Sequence, residues 1–226
     1  MMVHNYCAPE NVTAPPHVSR VTQYNKRGIR MISKVTWRVA WESDLTNGDH
    51  AELSDFFKSV YGATGAFNAL PFAGGRSWAG ARPELRGIAY DESGVAAHMG
   101  VLRRFIKVGG EQIAVAELGL YGVRRDLEGL GIGHSTLAML PVLKALGVPF
   151  AFGCFRNELR IHFQRFCRNG KGAIVDNVNI KSTQPDIYPD LPPTKIEKKA
   201  AVILPLTETL DRWPEGVDIE RNGPEL

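Results

Sequence analysis

From position 35 to 41 the chain alternates between apolar and polar residues, the period of a strand with one buried face. Asn47, Gly48 and Asp49 then form a turn and an N-cap region. Leu53, Phe56, Phe57 and Val60 recur behind it at helical spacing, which predicts a helix ending near Gly62. Strand-like runs follow at 86–90, 95–107 and 112–123. The turns between them are four residues long and rich in glycine, so the three form an antiparallel meander. Along the third run Ala114, Ala116, Leu118 and Leu120 share one face, and Val115, Glu117, Gly119 and Tyr121 the other. If Lys107 pairs with Gln112, His98 lies opposite Tyr121 on the face of Glu117; a slip of one residue moves it to the other face.

Residues 133–146 are apolar on most sides, as for a buried helix, with Pro141 placed to kink it and Gly147 to end it. The apolar run 148–155 predicts a buried, parallel strand entered from that helix. Asn157 is positioned to cap a further helix carrying Leu159, Phe163 and Phe166 on one face. Strand-like segments at 173–180 and 200–206 flank a proline-rich excursion, and the last residues, RNGPEL, read as a tail. The sum is an α/β (α+β) fold, a mixed and largely antiparallel central sheet with helices on both faces.

Two stretches stand apart from this pattern. Residues 1–30 lack an apolar period and contain Pro9, Pro15 and Pro16; they read as a poorly ordered extension before a single domain at 31–226, with Met31 as an alternative start. Residues 62–84 are dense in glycine and small residues yet hold Phe67, Phe72 and Trp78. The stretch reads as a substrate-covering loop, or as a connector pinned by its aromatics.

Composition narrows the class. With 226 residues, 44% hydrophobic and 23% charged, the chain has enough apolar mass for one core. A net charge of +3 is too small to suggest nucleic-acid binding. Cys7, Cys154 and Cys167 have neither disulfide nor zinc spacing, and no metal site is expected; a reducing cytoplasm fits. No apolar run approaches the roughly 18 residues of a spanning helix, so integral membrane association is not expected.

The chemistry gathers at 123–133, VRRDLEGLGIG. Gly129, Gly131 and Gly133 precede a helix, leaving backbone N–H groups and the positive helix end available to an anion such as phosphate. Neither a dinucleotide fingerprint nor a nucleotide-hydrolysis loop is present, and a plain tight turn is the competing reading.

This segment resembles motif A of the GCN5-related N-acetyltransferase (GNAT) superfamily, with Gly131 and Gly133 at the last two loop positions and Glu128 in place of the usual Arg or Gln. Longer stretches, YGATGAFNALPF, SWAGARPELR, GVAAHMGVLRRFIKVGG, VAELGLYGVRRDLEGLGI and RNGPEL, resemble the nodulation protein A family of N-acyltransferases from 35 onward. The resemblance implies a GNAT-like fold and transfer of a fatty acyl chain from acyl-carrier protein to the free amine of the non-reducing glucosamine of a de-N-acetylated chitin oligosaccharide. The donor would be the carrier's acyl-phosphopantetheine, with no permanently bound cofactor. A single phosphodiester is compatible with a cradle that Glu128 weakens toward pyrophosphate. A coenzyme A-dependent N-acetyltransferase and a non-catalytic lipid or oligosaccharide-binding module are the alternatives.

Direct attack by the amine needs a base, an oxyanion donor and a proton for the departing thiolate. Glu117 is the first choice of base, against a salt bridge to a neighbour such as Arg103. His98 is the second, or orients Glu117, against a half-buried histidine bonded to backbone. Tyr121 is the candidate acid and an amide near Gly119 the oxyanion donor. Arg124, Arg125, Gly129, Gly131, Gly133 and His134 form the anion-contacting set. Cys154 offers a thioester route that its apolar strand disfavours. Arg103, Arg104, Lys107, Arg124 and Arg125 are candidates to meet an acidic carrier protein, Phe150, Phe152 and Phe155 to line an acyl groove, and Trp41 and Trp78 to stack on sugars.

Overall fold

Helix α1 (Asn47–Gly62) begins where a reciprocal cap fixes it: the Thr46 hydroxyl accepts from the Asp49 amide, and the Asp49 carboxylate accepts from the Thr46 amide at 2.8 Å. Its apolar stripe, Leu53, Phe56 and Phe57, is buried against the sheet as its spacing predicts. The computed structural model describes residues 17–24, 30–156 and 159–226, of which 17–24, 30–34, 134–137 and 169 are described by backbone alone.

The strands are β1 (His17–Tyr24), β2 (Arg30–Trp41), β3 (Leu85–Asp91), β4 (Gly94–Val108), β5 (Glu111–Val123), β6 (Phe150–Phe155), β7 (Ala173–Thr183), β8 (Thr194–Pro205) and β9 (Asp218–Pro224). They form one sheet in the order β1-β2-β3-β4-β5-β6-β8-β7-β9, in which β5–β6 and β7–β9 are parallel and the other pairs antiparallel. Strand β9 also pairs with β4, through Ile106↔Arg221 and Val108↔Ile219. The half of the sheet from β4 to β9 therefore closes into a six-stranded barrel filled by Ile106, Phe150, Phe152, Ile180, Ile203 and Ile219. On the continuation of this inner face α1 packs over Ile88 and Leu120. The outer face is covered by α2 (Leu140–Ala145) and α3 (Arg160–Phe166), whose Leu143, Phe163 and Phe166 pack with Val101, Ala116 and Val202.

The mixed sheet with helices on both faces is as expected, and so are the meander and the parallel β6. Three elements differ. Within 1–30, residues 17–24 form β1, paired antiparallel with β2 from His17↔Trp37 to Tyr24↔Arg30; positions 1–16 and 25–29 lie outside the described residues. The continuous helix expected at 133–146 is a 3-10 segment, Ile132–Met139, followed by the six-residue α2. Pro141 has no N–H to donate back into the preceding turn, so the α-helix starts around it rather than running through. The expected tail is β9: Ile219 and Arg221 point into the barrel, one through apolar burial and the other through an ion pair.

Since Ile219 is 2% exposed and sits where β9 closes the barrel, Ile219→Ala is expected to lower unfolding free energy by about 2–5 kcal/mol. A urea titration reads this as a lower midpoint at unchanged slope.

Candidate functional site

Strands β5 and β6 pair only at Val115↔Phe150, Ala116↔Ala151 and Glu117↔Phe152, and beyond these they part. A gap at the carboxyl ends of parallel strands is where α/β sheets admit ligands. A cleft of about 620 Å³ lies at the end of β6, lined by Phe155, Arg156, Arg160, Asn177, Lys198 and Lys199.

On the α1 side, the expected pairing Lys107↔Gln112 is present, but one extra residue in β5 shifts the ladder between Gly100↔Gly119 and His98↔Gly122. Leu120, inside this bulge, has φ +48°. His98 therefore keeps the face of Glu117, whereas Tyr121 is turned to the opposite face, against the expectation that all three converge.

His98 is fully buried, with Nδ1 2.7 Å from the Leu120 carbonyl oxygen and Nε2 3.3 Å from Arg86 Nη1. Arg86 is fully buried as well. Its Nε and Nη2 donate to the two Glu42 oxygens at 2.5 and 3.1 Å, its Nη1 to the Ser77 carbonyl at 3.0 Å, and its Nη2 to Ser77 Oγ at 3.0 Å. Guanidinium only donates, so His98 Nε2 must accept and Nδ1 carries the proton that bonds Leu120. Burial, and after it the Arg86 charge, hold His98 well below the usual histidine range. It is a neutral, doubly bonded imidazole, which removes it as a free base.

Glu117 points into the mouth of the barrel and is 1% exposed. Its Oε1 lies 2.8 Å from Arg221 Nε and its Oε2 3.0 Å from Arg104 Nε. Arg221 reaches Glu225 as well, and Glu225 pairs with Lys199. Burial raises the Glu117 carboxyl, against the pull of Arg221 and Arg104. The competing salt-bridge reading is the one realised, with Arg104 and Arg221 in place of Arg103, which pairs outward with Glu84. The segment after β9 then lies over Gly119, where a Cβ would stand 2.7 Å from the Leu226 carbonyl oxygen. Glu117 is thus enclosed by its own chain and does not face an incoming amine.

Tyr121 meets the glycine loop instead. Its hydroxyl is 3.0 Å from His162 Nε2, and a Cβ on Gly133 would stand 1.9 Å from it, so only glycine fits there. Burial raises the phenol above its ordinary range, so it keeps its proton. Gly129 (φ +77°) and Gly131 (φ +82°) have open space around them; glycine serves their backbone conformation rather than close packing. Arg124 is held by Asp91 and Asp126 and is not free to bind an anion, whereas Arg125 is exposed. The side chain of His134 and the expected cap Asn157 lie outside what is described, and the helix that follows is led by Leu159.

Other candidates resolve by burial. Burial pushes the Cys154 thiol up to about 12, which disfavours a thiolate nucleophile. Phe150 and Phe152 fill the barrel, and Phe155 packs on Phe163. Arg82 and Arg76 lie over the Trp78 ring at 4.8 and 5.3 Å, and Trp41 packs in the core beneath α2. Of the basic residues, Arg104 is internal, while Arg103 and Lys107 are exposed. Sequence reasoning missed Glu42, Ser77, Arg86, His162 and Arg221. A signal existed for Arg86, a charge among the apolar residues that open β3; Arg221 sits in a stretch with no period to betray it.

The family profile described as nodulation protein A (NodA) matches residues 32–226. The nodulation protein A of Rhizobium leguminosarum bv. trifolii is 58% identical over 196 residues, 87% of this chain and 100% of that protein. That of Mesorhizobium japonicum (strain LMG 29417 / CECT 9101 / MAFF 303099) is 59% identical over 193 residues, 85% of this chain and 98% of that protein. Among solved structures, a GNAT-family N-acetyltransferase from Escherichia coli in complex with CoA aligns with TM-score 0.50 at 13% identity, over 83% of this chain and 89% of that one. At that identity the likeness establishes the fold.

Glu117→Gln removes the carboxylate that Arg104 and Arg221 share, leaving Arg221 with Glu225 alone and Arg104 without its ion-pair partner, so unfolding free energy is expected to fall by about 3–5 kcal/mol in urea titration. Glu42 yields a pH dependence. Burial raises its carboxyl, but bonds from Arg86 and Arg82 outweigh this and bring it below its ordinary value. Its stabilising contribution is then present above the unfolded carboxylate range and is lost as pH falls through the lower folded value. Chemical denaturation across the acid limb is expected to show a shallower slope in Glu42→Gln than in the wild type.

Proposed function

The chain belongs to the nodulation protein A family, and from that membership we propose that it is an N-acyltransferase that moves a fatty acyl chain from the phosphopantetheine thioester of acyl-carrier protein to the free amine of a de-N-acetylated chitin oligosaccharide. The observation that carries the reading is the parting of β5 and β6 directly beside the glycine loop, on a fold shared with an N-acetyltransferase solved with CoA. An extended thioester arm fits such a gap because the unpaired strand edge offers backbone groups along its length.

In the reaction the amine nitrogen attacks the thioester carbonyl carbon, forming the C–N bond. Collapse of the oxyanion breaks the C–S bond, the nitrogen loses a proton and the thiolate gains one. Tyr121 is proposed as the acid for that thiolate: its phenol is protonated and lies on the side of the glycine loop. Amides of the bulged segment 119–121 are proposed as oxyanion donors. An amine on a sugar carbon is less basic than lysine and is neutral in sufficient part to attack, so a strongly basic side chain is not required. Neither Glu117 nor His98 is proposed as the base.

Acyl-coenzyme A is the competing donor, favoured by the fold. Glu128 and the neutralised Arg124 disfavour it, since together they leave the loop little positive charge for a pyrophosphate. With a carrier-protein donor, the reaction is expected in the cytoplasm. Among the described residues no helix is long and apolar enough to cross a membrane.

Mass spectrometry of a de-N-acetylated chitotetraose incubated with matched acyl-carrier protein and acyl-coenzyme A donors tests the reading. Acylation from the carrier protein at least tenfold faster is expected. Equal rates would establish coenzyme A as a competent donor, and no acylation from either would leave a binding module.

A further inference from the structure

Leu120 is a bulky, non-glycine residue held in the left-handed region at φ +48°, inside the strand that borders the gap, where its Cβ crowds the backbone. Such a conformation persists only where its surroundings enforce it. Two side chains from the inner face do so here. His98 Nδ1 donates to the Leu120 carbonyl at 2.7 Å, and the Tyr61 hydroxyl donates to the Tyr121 carbonyl at 3.0 Å. In a regular strand these two consecutive carbonyls would point to opposite neighbours; taking both from one side is what the bulge requires.

We propose that His98 is a positioning residue that locks the β5 bulge, and thereby the backbone of 119–121 and the Tyr121 hydroxyl, into the geometry used for acyl transfer, with Arg86 fixing the imidazole tautomer that makes the lock. Each link is on the same buried path. Glu42 and Ser77 occupy four of the five Arg86 donors, and the fifth is left for His98 Nε2. Because that nitrogen is committed as an acceptor, the Nδ1 proton is directed at Leu120 and nowhere else. Without the lock, β5 relaxes to the regular register, and Tyr121 rotates away from Gly133 and His162 toward the α1 side.

The inference rests on the proposed acyl transfer, and its test separates the two. An asparagine amide nitrogen falls near the position of Nδ1, and a glutamine amide nitrogen near that of Nε2. In the transfer assay with acyl-carrier protein and de-N-acetylated chitotetraose, His98→Asn is expected to keep kcat within about threefold, whereas His98→Leu and His98→Gln lose about 100-fold in kcat with KM for both substrates little changed. In ¹⁵N NMR of the wild type, His98 is expected to show a protonated Nδ1 and no titration across the ordinary histidine range. The amide shifts of Leu120, Tyr121 and Gly122 are expected to move in His98→Leu and return in His98→Asn. His98→Asn as inactive as His98→Leu, with native shifts at the bulge, would make His98 a proton carrier and overturn the proposal. So would full activity of all three variants. If the wild type acylates nothing, the acyl-transfer reading fails, while the NMR pattern still decides whether His98 holds the bulge.

Discussion

The Glu117 carboxylate lies between two buried guanidiniums, one from β4 and one from β9, and the closed half of the molecule depends on that contact. Strand β9 brings little apolar area of its own: Ile219 faces the interior, but Asn222 and Gly223 contribute nothing to a core. Arg221 supplies what the apolar residues lack. Once charged groups are enclosed, removing one partner leaves the other unpaired in a medium that solvates it poorly. The ion pair therefore fixes the register of β9 between β4 and β7, closes the barrel, and draws the following residues across Gly119.

This closure shapes the region where chemistry is proposed. With the barrel side of Glu117 filled, the accessible side of the β5–β6 gap is the one toward the glycine loop, where Tyr121 meets Gly133 and His162. Tyr121 is delivered to that side by a single inserted residue, and a second enclosed polar cluster, Glu42–Arg86–His98, stands directly behind the insertion. Two buried polar networks thus flank one irregular strand. One organises the barrel and the other the bulge, and neither exposes a titratable group to solvent at the gap.

The acidic character of Glu128 and the neutralisation of Arg124 by Asp91 and Asp126 are consistent with a donor that brings little phosphate charge. Of the exposed cations, Arg125 stands in the loop, whereas Arg103 and Lys107 lie on β4 and pair with Glu84 and Glu220. A donor carried on another protein can use such a distributed surface, because electrostatic steering acts over the range of the Debye length and needs no single pocket.

The sequence by itself determined the regular parts: the apolar stripe of α1, the three-strand meander, the parallel β6 and the family. Each of these is written in local periodicity or turn chemistry, which acts over a few residues. It also supplied the right residues for the polar centre, since Glu117 and His98 are both there, on one face. Only the tertiary structure decided what they do. A one-residue bulge at Leu120 leaves no mark in the alternation yet moves Tyr121 to the other face. Arg221, 104 residues beyond Glu117 in a stretch without any period, claims the expected base for a buried ion pair. Arg86, on the neighbouring strand β3, likewise determines which nitrogen of His98 holds the proton. Charge pairing and hydrogen bonding between strands distant in sequence depend on register and burial, and those exist only once the sheet has closed.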